Sequence, residues 1–263
     1  MKKNIVAKLL FFIVIIILLL LPITVSGQIV PIRKYDVKNG LSENSIMSII
    51  QDQVGYIWMG TKDGLNYFNG IDFKVFGSSS NLIHGRQLSI VKLYPHRDKQ
   101  NIWIATTDSL YMFNTHTKEI IPFDATTEDG IGVKMILDIC YDSYGNLWIA
   151  TMKGLFAYNI DRKVMKRYIR KNSDRNHILP DNQILALLND SSGTLWVGTK
   201  RGLARYKPNT DSFVVYDTSL DIKPDDNSTF EITTLLEAHD GNIWVGTRFY
   251  GIASLDKGTG TFS

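Results

Sequence analysis

"DNQILALLNDSSGTLWVGTKRGLARY" (Asp181–Tyr206) reads as short strands divided by turns. The pieces "ILALL", "TLWVGT" and "GLARY", with "FVVY" after them, have strand length and are rich in apolar, β-branched and aromatic residues. "DSSG" (Asp190–Gly193) sets Asp at the start and Gly at the end of a tight turn, "KRG" makes the next turn and "KPNTD" the third. Nearly the same wording occurs upstream as "MILDICYDSYGNLWIATMKGLFAY" (Met135–Tyr158). No helical periodicity runs long enough to compete.

The unit occurs five times, around Trp58, Trp103, Trp148, Trp196 and Trp244, at spacings of 45, 45, 48 and 48 residues. Three residues before Trp stands Gly55, Gly145, Gly193 or Gly241. Two after it the residue is always small (Gly60, Ala105, Ala150, Gly198, Gly246), and three after it is always Thr (Thr61, Thr106, Thr151, Thr199, Thr247). Seven after comes Leu65, Leu110, Leu155 or Leu203, and ten after an aromatic, Phe68, Phe113, Tyr158 or Tyr206. The fifth copy carries one extra residue, so Ile252 and Leu255 take those places.

Side chains alternate along a strand, so in "LWIAT" Trp148 and Ala150 point one way and Leu147, Ile149 and Thr151 the other. Both faces are apolar, which predicts a sheet covered on both sides rather than one with a wet face. Four strands per unit at this period predict an all-β propeller whose blades cover one another, with all five tryptophans in the core.

The N-terminus is different material. Lys2, Lys3 and Lys8 precede an unbroken apolar run, Leu9–Leu21, then "PITVSGQ". A basic start, a short apolar stretch and small residues predict a signal peptide over 1–27, with the propeller over 28–263. An uncleaved anchor is the alternative, at the short limit for a bilayer. The leader carries three lysines and no acid, so its removal takes the formal charge from +3 to zero. A neutral chain argues against a nucleic-acid partner held by bulk charge. The single cysteine, Cys140, allows no internal disulfide and sits in an apolar strand as a small hydrophobe.

The pattern D-x-x-G-x-[IL]-W-[MIV]-[GA]-T-x-x-G-L resembles the two-component regulator propeller repeat, and Tyr35–Phe76 is similar to the opening of sensors built from it. The resemblance covers Ile32–Phe262 and implies the periplasmic sensor region of a hybrid histidine kinase of the Bacteroidetes type. Copy two departs, with Arg97 and Gln100 in place of Asp and Gly and Ser109 in place of Gly. Such sensors carry more repeats, a membrane span and kinase parts, so this chain is expected to be the N-terminal part of a longer receptor and its five blades part of a larger ring. Closure by a lone strand at Pro31–Tyr35 stays open as the other arrangement.

Catalytic and cofactor motifs do not emerge. There is no phosphate loop ending in Gly-Lys-Ser/Thr, no His-Glu-x-x-His and no nucleophile elbow. Asp52, Asp142 and Asp190 precede Gly at fixed spacing and read as turn formers. No cofactor or metal is implied. Ligand contacts are expected on the irregular blade-to-blade connections, which offer His84, Arg86, Arg175, His177, Asp225 and Asp226. The reading is an exported, non-enzymatic, ligand-sensing ectodomain. By resemblance its partners are a small extracellular ligand such as an oligosaccharide, downstream kinase domains and a dimer mate. A secreted scaffold or adhesion propeller, and a propeller lyase or glycosidase, stay open as alternatives.

Overall fold

A computed structural model describes residues 32–78, 87–170, 179–216 and 230–263. Tyr35–Ser263 forms one compact unit. Its architecture is a row of antiparallel sheets, each strand pairing with the next in sequence. Blade one holds β1 (Ile46–Gln51), β2 (Ile57–Thr61), β3 (Gly64–Phe68) and β4 (Phe73–Phe76). Blade two holds β5 (Ile90–Pro95), β6 (Asn101–Thr106), β7 (Leu110–Asn114) and β8 (Ile120–Pro122). Blade three holds β9 (Ile136–Tyr141), β10 (Asn146–Thr151), β11 (Gly154–Asn159) and β12 (Val164–Tyr168). Blade four holds β13 (Ile184–Asn189), β14 (Leu195–Thr199), β15 (Gly202–Lys207) and β16 (Ser212–Tyr216). Blade five holds β17 (Ile232–Glu237), β18 (Ile243–Thr247) and β19 (Ile252–Leu255), with Phe262 bridging to Leu255 where a fourth strand begins. The all-β propeller reading holds.

The residues that recur in sequence now have physical roles. The Asp of each Asp-x-x-Gly turn does more than turn the chain. One oxygen of Asp142 accepts from the N–H groups of Tyr144 and Asn146, both at 2.9 Å, and the other accepts from the Trp148 indole at 2.7 Å. Asp52 and Asp190 hold Trp58 and Trp196 in the same way, at 2.8 and 2.9 Å. Copy two lacks this Asp, and Trp103 donates instead to the hydroxyl of Tyr141 in blade three, at 2.7 Å. The recurring Thr closes the β2–β3 type of hairpin. Thr61 Oγ1 donates to Gly64 O at 3.1 Å and accepts from Asp63 N at 3.0 Å, and Thr151 and Thr199 repeat the pattern.

The small residue after Trp answers a packing need across blades. A Cβ on Gly60 would lie 2.4 Å from Ile90 Cγ2, and one on Gly198 2.6 Å from Ile232 Cγ2. Each blade's innermost strand carries a β bulge near its start, seen as a register shift between Ile90 and Lys92 and between Ile232 and Thr234. The bulge turns two apolar side chains three positions apart toward the preceding blade. Ile90 and Leu93 thus join the cluster of Trp58 and Leu65, and Ile136 and Ile139 that of Trp103 and Leu110. Ile184 and Leu187 join Trp148 and Leu155, and Ile232 and Leu235 join Trp196 and Leu203. The core is therefore four blade-to-blade layers rather than one central mass.

One expectation needs correction. Trp58, Trp103, Trp148 and Trp196 are buried, but Trp244 is 44% exposed, because no further blade covers its face. Ile32–Tyr35 carries no strand, and the Tyr35 ring packs on Phe68 and Phe73 of blade one, at 5.0 and 5.7 Å.

Candidate functional site

All six sequence candidates, His84, Arg86, Arg175, His177, Asp225 and Asp226, lie outside the described residues. Among the described residues a different set converges. A cleft of about 330 Å³ opens between blades three and four, lined by Trp148, Lys166, Tyr168, Tyr206 and Asp211, with Asn146, Asn159 and Arg162 among its polar groups.

Strand and turn chemistry places these groups. Lys166 and Tyr168 alternate to the same face of β12, the outer strand of blade three. Tyr206 comes from β15 and Asp211 from the β15–β16 turn, where it adopts a left-handed conformation (φ 48°) that Asp tolerates better than most residues. Trp148 forms the apolar floor, its ring 5.5 Å from Tyr168 and 4.7 Å from Tyr206. Both phenols donate to Asp211 Oδ1, Tyr168 at 2.6 Å and Tyr206 at 2.8 Å, while Lys166 Nζ donates to Oδ2. Lys166 also lies 4.8 Å above the Tyr168 ring, a cation–π contact.

The electrostatics follow from this geometry. Partial burial alone would raise the Asp211 carboxyl, but the bonds from Lys166, Tyr168 and Tyr206 outweigh it and hold the group below the ordinary carboxylate range. Burial first, and then the bond to Asp211 and its charge, push Tyr206 up to about 12. Tyr168 is raised for the same leading reason. At neutral pH the cleft therefore presents two neutral phenols, a carboxylate matched by an ammonium, and the Arg162 guanidinium, which has no ion pair among the described residues. Such a surface can bind a polar molecule.

A second polar set runs along the innermost strands. Ser48 Oγ accepts from Leu93 N at 3.0 Å, and Asp138 Oδ2 accepts from Leu187 N at 2.9 Å. Lys92 Nζ meets Asp138 Oδ1 at 2.8 Å. Each is a bond from one blade to the next, so this set ties blades together rather than leaving groups free for a ligand. Beside it, Cys140 is a buried free thiol raised well above its ordinary range by burial.

Blades four and five are joined at the Asp190 turn. Lys257 Nζ reaches Asp190 Oδ2 at 3.1 Å and Glu237 Oε1 at 2.8 Å. Burial would raise Asp190, but bonds from Ser192, Trp196, Thr194 N and Lys257 lower it to about 2. A depressed carboxylate contributes stability above its unfolded value, near 4, and loses it as pH falls through the folded value. Asp190→Asn is accordingly expected to lower stability by about 2 kcal/mol at pH 7. Urea melts should show that gap closing between about pH 4 and pH 2; a gap independent of pH would deny Asp190 its charged role.

Comparisons with known proteins agree with this construction. Four segments, 40–63, 130–153, 178–201 and 227–249, match the two component regulator propeller family. They lie in blades one, three, four and five; blade two, with its altered turn, is not matched. The extracellular domain of the hybrid two component system BT3049 from B. thetaiotaomicron superposes with a TM-score of 0.71 at 25% identity, over 88% of this chain and 31% of that one. That of BT4673 from the same organism gives 0.67 at 20% identity, over 83% and 27%, a likeness of fold. The chain thus spans under a third of the length of those structures. Histidine kinase P4 of Formosa agariphila is 50% identical over 38 residues, 14% of this chain and 3% of that protein. Repeat, register and fold converge on one assignment: this chain is a β-propeller, four of whose five blades carry segments that match the two component regulator propeller repeat.

Proposed function

We propose that the chain is the ligand-sensing part of an exported two-component receptor, and that it recognises rather than transforms its ligand. The observation that supports this best is the match to the BT3049 extracellular domain over 88% of the chain, together with the four repeat segments. The apolar, basic-flanked N-terminus supports export to the periplasm. Phosphoryl chemistry then belongs to kinase domains outside these 263 residues, and signalling works through a bound state that favours one arrangement of a receptor dimer.

The ligand proposed is an oligosaccharide. The cleft supports this reading, since hydroxyl, amide and charged groups around an aromatic floor suit a polyhydroxylated molecule. Two experiments test the proposal. Alkaline phosphatase fused after Ser263 is expected to be active only with residues 1–27 present; activity without them removes the export reading. A thermal-shift panel of oligosaccharides against the exported chain is expected to raise its melting temperature for one class, and a panel without effect removes the carbohydrate reading. With a hit in hand, Asp211→Ala should abolish the shift if the cleft binds, whereas His84→Ala with Arg86→Ala should do so if the connections bind.

A further inference from the structure

The cleft between blades three and four coincides with two departures from the repeat. On the strand that follows each Trp, one residue pairs directly with it and points to the same face. That residue is Tyr67 in blade one, Met112 in blade two and Arg205 in blade four. In blade three it is Ala157, and in blade five, one residue longer, it is Ser254. The Tyr67 ring lies 4.8 Å from that of Trp58, and the next blade closes over both, with Lys118 Nζ 4.9 Å from the indole and 5.1 Å from the phenol. Ala157 fills little of the volume that Tyr67 takes, and it lines the cleft.

The covering residue changes as well. Lys118 and Asp211 each stand 15 residues after the Trp of their own blade, and both are left-handed, at φ 63° and 48°. Lys118 covers the indole of the preceding blade. Asp211 instead accepts bonds from Tyr168, Tyr206 and Lys166. Ala157 and Asp211, far apart in sequence, thus meet in one cleft.

The polar groups there are unequally committed. Both Asp211 oxygens already accept, one of them twice. The Asn146 amide donates to Asp142, and the Asn159 amide to Asn146. Arg162 stands in the turn before β12, its backbone N–H held by Asn159 Oδ1 at 2.9 Å. Its side chain is exposed and has no ion pair among the described residues. The charged lining is therefore two cations, Arg162 and Lys166, against one saturated carboxylate. Such a cleft is short of an anion, and a guanidinium fork matches the two oxygens of a carboxylate.

The geometry points to an acidic oligosaccharide as the ligand, with a uronate ring in the space beside Ala157 and its carboxylate on Arg162. This rests on the oligosaccharide reading and narrows it to one class. Ala157 sets whether the cleft is open, and Arg162 sets the charge it prefers.

Titration calorimetry of the exported chain tests this, with a panel of uronate trisaccharides and the same sugars after carboxyl reduction, which makes each uronate a neutral hexose of unchanged linkage. At least one uronate is expected to bind about tenfold or more tighter than its reduced counterpart, and to weaken as salt rises. Arg162→Gln, at an exposed side chain, should remove that difference with an unchanged urea melt. Ala157→Met gives blade three the residue of blade two and should abolish binding of either sugar. If that variant melts early, Arg162→Gln decides alone. Reduced sugars that bind as tightly as the uronates overturn the inference and leave the oligosaccharide reading standing. A panel in which no sugar binds overturns both. Uronate binding at full strength in Arg162→Gln, or in a folded Ala157→Met, places the site elsewhere and overturns the inference.

Discussion

Trp148→Ala is expected to lower stability by about 3–5 kcal/mol, the range for deleting a large aromatic from a core that cannot collapse around the gap. Trp148 is fully buried, packs on Tyr168 and Tyr206, and belongs to the layer with Ile184 and Leu187 of the next blade. Loss of the ring therefore opens a gap between two blades rather than within one. Trp244→Ala makes the internal control. It removes the same side chain at the same register from a face left partly exposed, and about 1 kcal/mol is expected. Urea melts of the two variants side by side decide the matter, and equal losses would refute the layered core.

Asp142→Ala is the second large effect, at about 3 kcal/mol. Its carboxylate is buried and accepts four bonds: from Tyr144 N, Asn146 N, the Asn146 amide at 2.8 Å and the Trp148 indole. Removal strands the indole N–H in the core, and a buried donor without a partner costs about 1–3 kcal/mol by itself, to which the loss of the turn adds. Asp142→Asn keeps one acceptor oxygen for either the turn or the indole but turns an N–H₂ group toward the other. It should fall between wild type and Ala, as read from chemical denaturation midpoints. An Asn variant as stable as wild type would mean that the indole needs no acceptor.

The fold was legible because its rules are local and repeat. Thr at a fixed place after Trp, Gly or Ala before that Thr, and Asp ahead of the turn each answer a need within one blade or between neighbours, so five imperfect copies expose the pattern. The indole's dependence on the turn Asp was not legible, since Asp-x-x-Gly is explained by the turn alone. The exposure of Trp244 was missed for a related reason: the sequence marks a residue's place in its blade but not whether a neighbour follows. The cleft left still less signal. Lys166 and Tyr168 belong to one blade, Tyr206 and Asp211 to the next, and only the blade-to-blade layer brings the Tyr168 and Tyr206 hydroxyls onto one carboxylate. Tyr206 had looked like a repeat aromatic and Asp211 like a turn residue, and each is that as well.

The layering of the core, blade against blade, also sets how motion is distributed along the chain. Blade three is held from both sides, Ile149 and Phe156 against blade two and Trp148 and Leu155 against blade four. Blade five is held on one side only, through Ile232 and Leu255 against Trp196. In an array of nearest-neighbour contacts, a unit gripped once opens more readily than a unit gripped twice. Amide hydrogens of β10 should therefore exchange with solvent only when the whole array opens, and those of β18 through fraying of the last sheet.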